Sequence, residues 1–176
     1  ALNYDGPGTP GKATVDMPVL GIHCAQIIES RHPDVMEMDA ASRTGIDDVR
    51  ELIEGVRYRP VSARYKVYII DEVHMLSEKA FNALLKTLEE PPPHVKFLFA
   101  TTEIRKVPVT VLSRCQRFDL KRVPQQALID HFGKIAGAEK VEISPEALTL
   151  LARAADGSVH DGLSMLDQAI AHADLD

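Results

Sequence analysis

A continuous apolar run that ends in two adjacent acids, Lys66 to His74 (KVYIIDEVH), constrains the fold more than any other part of the chain. The apolar residues predict a strand over 66–73 that is covered on both faces, as in a parallel sheet. Asp71 and Glu72 fall at its carboxyl end, where open α/β sheets place their ligand sites. Two adjacent carboxylates suit a site in which one holds Mg²⁺ and the other polarises an attacking water. The alternative is that the pair only ends the strand and caps a turn.

Strand-like and helix-like segments alternate along most of the chain. The predicted elements are a helix over 22–31, a strand over 35–39, a helix over 47–56, the strand over 66–73, a helix over 78–90, a strand over 95–101 and a short strand over 117–120. This alternation favours an α/β fold with a parallel sheet and crossover helices. After Pro124 only helical periodicities remain. We therefore expect an α/β domain over residues 1–122 and a small all-helical domain over residues 123–176.

Composition narrows the possible functions. The 20 Lys and Arg against 26 Asp and Glu give a net charge of −6 at pH 7, which disfavours a free-standing nucleic-acid binder held by a basic surface. A local basic patch inside a larger complex is compatible with this charge. Cys24 and Cys115 lie far apart without partners at metal-binding spacing, which indicates a reduced, cytosolic protein. No apolar run approaches the ~20 residues needed to span a bilayer.

Two further groups of polar residues could serve a phosphate site. Thr101 and Thr102 end the next strand, where a hydroxyl can donate to a phosphate or orient a water. The simpler interpretation of either threonine is a β-branched strand residue. Arg114 follows a loop, and its planar guanidinium can bind an oxyanion through two parallel hydrogen bonds, although a single loop arginine is usually a solvated charge. Cys115 has no acid–base partner nearby in sequence and is interpreted as a buried thiol.

A phosphate-binding loop of the pattern Gly-x-x-x-x-Gly-Lys-[Ser/Thr] occurs nowhere in the sequence. Residues 6–12 (GPGTPGK) have a similar composition, but prolines interrupt them, and neither an apolar strand before them nor a helix after them is predicted. Ala13 also stands where the Mg²⁺-binding hydroxyl would be. We therefore do not interpret this segment as a phosphate loop.

Four segments taken together resemble the gamma/tau subunits of bacterial DNA polymerase III, which are clamp-loader ATPases of the AAA+ class. The segments are DAASRTGIDDVREL (39–52), KVYIIDEVHMLSEKAFNALLKTLEEPP (66–92), VKFLFATTEIRKVPVTVLSRCQRF (95–118) and GSVHDGLSMLDQAI (157–170). These segments, found together and in this order, are highly specific for the family. The resemblance implies a P-loop-type parallel sheet with flanking helices, followed by a small helical lid domain.

The resemblance also implies a role for each matching position. Asp71 matches the acid that holds Mg²⁺ through water, and Glu72 matches the acid that acts on the attacking water. Thr102 matches the sensor-1 position, which reports on the γ-phosphate of ATP. Arg114 matches the arginine finger, which in this family acts on ATP bound by the adjacent subunit. His160 lies at the sensor-2 position, which is commonly arginine; a mostly neutral histidine lacks the bidentate fork.

Cofactors and partners follow from the same resemblance. It implies ATP and Mg²⁺ as cofactors of the parent protein. The implied partners are other clamp-loader subunits (delta, delta-prime and further gamma/tau copies), the sliding clamp and primer–template DNA, in the bacterial cytoplasm at the replication fork and away from membranes. Arg43, Thr44 and Gly45 lie where clamp loaders bring helix N-termini toward the DNA backbone, and such a terminus attracts phosphate by itself.

Two departures from the family pattern lead to expectations about this chain. The family's phosphate loop should lie just ahead of Ala1, so we expect an internal part of a longer protein with little or no ATPase activity and no bound nucleotide, as a monomer or weak dimer. The family often carries a zinc-binding cysteine cluster before Cys24, but Pro18 and Gly21 occupy the equivalent positions here. His23 and Cys24 are too few for a structural zinc, so we expect none.

Two other functions are compatible with parts of the pattern. One is a non-hydrolysing structural subunit of the same complex, resembling delta-prime, which would act as a scaffold and finger donor. The intact pair of Asp71 and Glu72 argues against it, because a scaffold does not need both acids. The other is a different AAA+ enzyme, such as a recombination-associated ATPase, which the segment LLKTLEEPP (84–92) matches less closely.

Overall fold

The protein is described by a computed structural model that covers residues 1–8, 12–43 and 45–173. Contacts within the chain divide it into two compact units, Ala1–Arg117 and Phe118–Asp176. In the described residues, the first unit contains a sheet with helices, and the second contains helices alone.

The first unit is built around one parallel sheet of three strands in the order β1–β2–β3. Its elements are α1 (Cys24–Ile28), β1 (Val35–Asp39), α2 (Ile46–Val56), β2 (Lys66–Asp71), α3 (Glu78–Glu89), β3 (Val95–Phe99) and α4 (Val109–Leu112), with 3₁₀ turns at Val73–Met75 and Ile104–Lys106. Asp39 lies opposite Asp71, and Ile70 lies opposite Phe99. The predicted α/β class and the parallel sheet are confirmed.

The central strand β2 carries the core of this unit. Val67, Tyr68 and Ile70 are buried, as the uninterrupted apolar run predicts. The two long helices bury their apolar stripes in the same core, through Val49, Leu52 and Val56 of α2 and through Ala80, Phe81 and Leu84 of α3. Each large apolar side chain buried in this way contributes about 1.5–3 kcal/mol to the free energy of unfolding.

The predicted limits of α3 are confirmed within one residue. Ser77 is its N-cap, and the serine hydroxyl accepts a hydrogen bond from the backbone N–H of Ala80 at 3.3 Å. Pro91–Pro93 follow the helix, and prolines cannot continue its hydrogen-bond pattern. The length of α3 matters for the site because its last residue, Glu89, contacts Arg114.

A buried carboxylate, Asp34, fixes the connection between α2 and β2. Asp34 is fully buried. Its Oδ1 accepts a hydrogen bond from the backbone N–H of Val61 at 2.7 Å, and its Oδ2 accepts from the N–H groups of Ser62 and Ala63, both at 2.8 Å. Burial by itself would raise the pKa of Asp34, but these backbone hydrogen bonds outweigh it and hold the pKa below its usual value.

Several predicted elements end earlier than expected. The predicted helix over 22–31 is reduced to α1, and the strand predicted over 95–101 ends at Phe99. The strand predicted over 66–73 ends at Asp71, because Glu72 adopts a left-handed backbone conformation (φ 46°) that turns the chain out of the sheet. A left-handed residue cannot continue a strand, and apolar periodicity does not reveal it.

The predicted short strand over 117–120 is wrong. These residues have no regular structure, and the side chains of Phe118 and Leu120 are exposed, the latter by 96%. A strand forms only where a neighbouring backbone supplies hydrogen bonds, and these residues pair with none of the three described strands. Alternating apolar residues do not reveal whether such a neighbour is present.

As far as the structure describes it, up to residue 173, the second unit consists of three helices. They are α5 (Gln125–Ala138), α6 (Pro145–Ala154) and α7 (Val159–Ala173), packed around Leu128, Phe132, Ala152, Ala155 and Leu166. The hydroxyl of Ser144 accepts from the N–H of Ala147 at 3.2 Å and caps α6, and Ser158 accepts from the N–H of Asp161 at 3.2 Å. Serine is among the residues favoured at helix N-caps because its hydroxyl can accept from a free backbone N–H of the first turn.

The division between the units falls after Arg117, a few residues before the predicted boundary at 122–123. The N–H of Val123 donates to the carbonyl of Gly157 at 3.0 Å, and the guanidinium of Arg122 donates to the carbonyl of Asp156 at 2.6 Å. These bonds tie the segment before α5 to the turn between α6 and α7, which places it in the second unit. Among the described residues, no helix is both long and apolar enough to cross a bilayer.

We predict that Asp34→Asn lowers the free energy of unfolding by about 3 kcal/mol. Both carboxylate oxygens of Asp34 accept from backbone N–H groups. Either orientation of the asparagine amide therefore sets its NH₂ against a backbone donor. Urea unfolding followed by circular dichroism measures the loss. Asp47→Asn is the matched control, because Asp47 is exposed and its carboxylate forms an exposed ion pair with Arg50; the substitution should cost less than about 0.5 kcal/mol.

We predict that the destabilisation caused by Asp34→Asn depends on pH. Since the pKa of Asp34 is lowered in the folded protein, its ionisation contributes stability above the unfolded pKa of about 3.9, and this contribution is lost as the pH falls through the folded value. The gap in unfolding free energy between the wild type and the variant should be full near neutral pH and should narrow below about pH 4. A gap of constant size in urea titrations across this range would contradict the assignment.

Candidate functional site

The carboxyl ends of β1, β2 and β3 lie at one edge of the sheet, because the three strands are parallel. This edge carries Asp39 at the end of β1, Asp71 at the end of β2 with Glu72 directly after it, and the two threonines that follow β3. The parallel order of the strands is therefore enough to bring Asp71 and Glu72 to the same edge as Thr101 and Thr102. Neither of two surface grooves in the structure, of about 410 and 440 Å³, is lined by these residues.

Glu72 directs its carboxylate toward Thr102. Its Oε2 accepts a hydrogen bond from the hydroxyl of Thr102 at 3.0 Å and lies 3.3 Å from the backbone nitrogen of the same residue. The left-handed conformation of Glu72 costs about 1–2 kcal/mol for a residue with a Cβ. Two backbone hydrogen bonds hold the turn in place, from Val73 N–H to Ala100 carbonyl at 2.9 Å and from Ala100 N–H to Ile70 carbonyl at 3.0 Å.

Asp71 is exposed at the end of β2. Its Oδ1 accepts a hydrogen bond from the N–H of Glu72 at 2.9 Å, and its Oδ2 accepts none from the described residues. A carboxylate with one oxygen fixed by the backbone and the other free fits the water-mediated Mg²⁺ binding predicted from the sequence, since Mg²⁺ usually keeps several waters and uses one or two carboxylates.

His74 belongs to this edge with a side chain that is only 6% exposed, and the sequence did not single it out. Its Nδ1 lies 2.9 Å from the hydroxyl oxygen of Thr101, with which it forms a hydrogen bond, and 3.2 Å from Oε2 of Glu72. Glu103 contacts its other nitrogen at 3.8 Å and forms an ion pair with Lys106 at 2.7 Å. The lysine hydrogen bond holds the pKa of Glu103 below its usual value. Histidine carries no periodicity signal, so only its place in KVYIIDEVH could have marked it.

Arg114 lies just after α4 and is engaged by its own chain. One guanidinium nitrogen donates to the carbonyl of Thr110 at 2.6 Å, and the other pairs with the carboxylate of Glu89 at 2.5 Å. These contacts hold the guanidinium at the last turn of α3, and it forms no hydrogen bond with Asp71 or Glu72. The neighbouring Cys115 thiol is partly rather than fully buried, and this burial raises its pKa.

Asp39 organises the start of α2, where contact with DNA was predicted. Its Oδ1 accepts from the N–H of Ala41 at 2.8 Å and its Oδ2 from the hydroxyl of Ser42 at 2.7 Å. The Ser42 and Ala41 hydrogen bonds lower the pKa of Asp39. The N–H of Arg43 donates to the carbonyl of Asp39 at 3.0 Å, and the Arg43 side chain is exposed.

Gly45 is the N-cap of α2, and Thr44 lies outside the described residues. The first turn of α2 carries Asp47 and Asp48, whose negative charges oppose the attraction of this helix N-terminus for phosphate. Arg43 is therefore the described group of this segment that is best suited to a phosphate contact.

His160 belongs to the second unit. It lies in the first turn of α7 with a side chain that is 91% exposed, and its Nδ1 is 3.3 Å from the carboxylate of Asp161. The side-chain hydrogen bond with Ser158, and to a lesser extent the one with His160, holds the pKa of Asp161 below its usual value. Asp161 is adjacent to His160 in the sequence, but only the structure shows that the two side chains are in contact.

The described residues contain no group of three or more His, Cys, Asp or Glu side chains arranged to hold a metal ion. The region where the family often binds zinc has a different arrangement here. His23 and His32 are buried and joined by a hydrogen bond between ring nitrogens at 2.9 Å, and the sulfur of Cys24 accepts from the N–H of Gly21 at 3.2 Å. The expectation that the chain binds no zinc stays a prediction.

Two protein-family models match successive parts of the chain. The family described as DNA polymerase III, delta subunit, matches residues 20–124. The family described as DNA polymerase III clamp loader subunit, ATPase lid domain, matches residues 127–175. The two matches meet close to the boundary that was predicted from the loss of strand-like sequence after Pro124.

Curated relatives agree with the family models. The chain is 54% identical over 152 residues to DNA polymerase III subunit tau of Escherichia coli (strain K12), a match that covers 86% of this chain and 24% of that protein. It is 53% identical over 147 residues to subunit tau of Bacillus subtilis (strain 168), covering 84% of this chain and 26% of that protein. The chain thus spans about a quarter of the length of the curated relatives it matches.

Solved structures show the same fold. A DNA polymerase III gamma subunit-related protein from Thermotoga maritima matches with a TM-score of 0.52 and 25% identity, over 78% of this chain and 50% of that one. The Holliday junction branch migration motor RuvB from Thermotoga maritima matches with a TM-score of 0.62 and 17% identity, over 82% of this chain and 47% of that one, which concerns the fold alone. Since the first family model covers more than half of the chain and the second covers its helical unit, the chain belongs to the family of DNA polymerase III clamp-loader subunits.

Proposed function

We propose that the parent protein is an ATP-hydrolysing clamp-loader subunit that loads the sliding clamp onto primer–template DNA during bacterial replication. It works in the cytoplasm in a ring with delta, delta-prime and further gamma/tau copies. The observation that carries the proposal is the edge of the sheet where Asp71 ends β2 with a free oxygen while Thr102, at the end of β3, bonds the carboxylate of Glu72. This arrangement supports phosphoryl transfer to water.

Asp71 and Glu72 divide the work in the proposed reaction. Asp71 would hold Mg²⁺ through water, and Mg²⁺ when bound supplies the positive charge that offsets the β- and γ-phosphates of ATP. Glu72 orients the attacking water and accepts its proton through Oε1, which accepts no hydrogen bond from the described residues, while Oε2 is held by Thr102. Thr102 is exposed, so its hydroxyl can also reach a phosphate.

Arg114 acts on the nucleotide of the neighbouring subunit in this proposal. Its guanidinium is held by Glu89 and the carbonyl of Thr110 at the end of α3, rather than beside the acids of its own chain. A permanently charged fork presented in this way can stabilise phosphate charge across a subunit interface. The pair with Glu89 is half-exposed, so exchanging this carboxylate for a phosphate costs little.

Binding of DNA and the sensing of ATP by the lid complete the proposal. Arg43, with Thr44 and Gly45, contacts the DNA backbone at the start of α2. His160 takes the sensor-2 position, where its single ring nitrogen makes a weaker phosphate contact than an arginine would.

The alternative is a non-hydrolysing structural subunit resembling delta-prime. The family description that names a delta subunit favours it. The intact acid pair and the relatives named tau favour the hydrolysing subunit. ATP hydrolysis by the full-length protein, measured as phosphate release, decides between the two.

We predict that Glu72→Gln in the full-length protein lowers ATP turnover at least about 100-fold, because glutamine cannot accept the proton of the attacking water. The glutamine oxygen can still accept from Thr102, so the affinity for ATP should change less than about threefold. Steady-state phosphate release and equilibrium nucleotide binding measure the two effects.

Glu51→Gln is the matched control for that variant. Glu51 is exposed on α2, and the substitution removes the same charge away from the sheet edge. It should retain wild-type turnover. Normal hydrolysis by Glu72→Gln would contradict the proposed function.

We predict that Arg114→Ala lowers DNA-stimulated ATP turnover by about 10³-fold in the assembled clamp loader, because the finger acts across the subunit interface. The isolated full-length subunit should keep its basal rate. Arg105→Ala removes an exposed arginine from the 3₁₀ turn that precedes α4 and should have little effect on either rate. A loss of equal size in the isolated subunit and in the complex would contradict action in trans.

A further inference from the structure

The side chain of His74 lies between Glu72, which follows β2, and Thr101, which follows β3. His74 belongs to the 3₁₀ turn that follows β2, and its side chain is only 6% exposed. Its Nδ1 meets Thr101 at 2.9 Å and Oε2 of Glu72 at 3.2 Å. The ring therefore joins the acid that follows β2 to the hydroxyl that follows β3.

The surroundings of Nδ1 determine which ring nitrogen carries the proton. An ionised Glu72 can only accept hydrogen bonds, and the hydroxyl oxygen of Thr101 already accepts from the N–H of Glu103 at 3.0 Å. A bare Nδ1 would set its lone pair 3.2 Å from a carboxylate oxygen. Both neighbours of Nδ1 are satisfied when Nδ1 carries the proton and donates it toward the Thr101 hydroxyl oxygen and Oε2 of Glu72. Nε2 lies 3.8 Å from Glu103, which is too far for a hydrogen bond.

Oε2 of Glu72 is consequently held from two sides. Thr102 approaches from the exposed side through its hydroxyl and its backbone nitrogen, and His74 approaches from the buried side. Because Thr102 is exposed, contact of its hydroxyl with a phosphate would break its hydrogen bond to Glu72. His74 cannot leave in the same way because it is enclosed.

We propose that His74 is a positioning residue for ATP hydrolysis, whose Nδ1–H holds Oε2 of Glu72 so that Oε1 faces the attacking water. This inference rests on the proposed function, because it assigns Glu72 the role of general base. It adds a residue that touches neither ATP nor the water and acts through Glu72. A displacement of about 1 Å in a catalytic group can cost up to about 100-fold in rate, so a lost contact at Oε2 is large enough to measure.

Substitutions that keep one ring nitrogen at a time test the proposal in the full-length protein within the assembled clamp loader. His74→Asn retains an N–H group near the position of Nδ1, and His74→Gln retains one near the position of Nε2. We expect the asparagine variant to keep kcat within about threefold of the wild type and the glutamine variant to lose about 10- to 100-fold, with KM for ATP nearly unchanged in both. His131→Gln, an exposed histidine of α5, is the matched control and should keep the wild-type rate.

The outcomes separate this proposal from the function on which it rests. Thermal unfolding and ATP binding are measured for each variant, so that the two His74 variants are compared at matched stability. Equal kcat for His74→Asn and His74→Gln would overturn the positioning role, as would a loss that appears in KM alone. If Glu72→Gln is inactive while all His74 variants are normal, only the role of His74 fails. If Glu72→Gln is fully active, the proposed function fails as well.

Discussion

The site depends on two backbone hydrogen bonds that hold the turn after β2 against the end of β3. They join Val73 to Ala100 at 2.9 Å and Ala100 to Ile70 at 3.0 Å. Because of them, Glu72 can occupy a left-handed conformation that costs about 1–2 kcal/mol, and its carboxylate swings toward β3. Backbone hydrogen bonds of the sheet thus place Glu72. The side chains of Thr102 and His74 then hold its Oε2, which leaves Oε1 for the attacking water in the proposed reaction.

The two ends of the sheet are fixed by different chemistry. At the carboxyl end, the exposed Thr102 and the largely covered His74 both contact Oε2 of Glu72, and Oε1 accepts no hydrogen bond from the described residues. Near the amino ends, the buried carboxylate of Asp34 is saturated by backbone N–H groups and has no capacity left for a ligand. Asp34, whose two carboxylate oxygens both accept hydrogen bonds, has a structural role. Asp71 is exposed and has one oxygen without a described partner, so it can bind a ligand. The same residue types therefore serve opposite purposes at opposite edges.

Two other predicted site residues form contacts of their own in the described structure. Arg114 is held by Glu89 at the end of α3, and His160 lies exposed on a helix of the second unit. In the proposed assembly, Arg114 meets the phosphates of the nucleotide that is bound by the neighbouring subunit. The chain spans about a quarter of the length of its relatives, and the assembly that completes these contacts is a proposal about the parent protein.

The sequence by itself determined the fold class, the three long strands, the limits of α2 and α3 and the acidic strand end, because burial on a parallel sheet requires apolar runs of fixed period. Its order of motifs was specific enough to identify the family. Only the tertiary structure decided that Glu72 leaves the strand, that residues 117–120 form none, and that His74 joins the edge through a hydrogen bond with Thr101. Those outcomes depend on which backbone or side chain lies next to a residue in space. The segment KVYIIDEVH predicts that two acids end a buried strand, but it does not predict which residues their carboxylate oxygens contact.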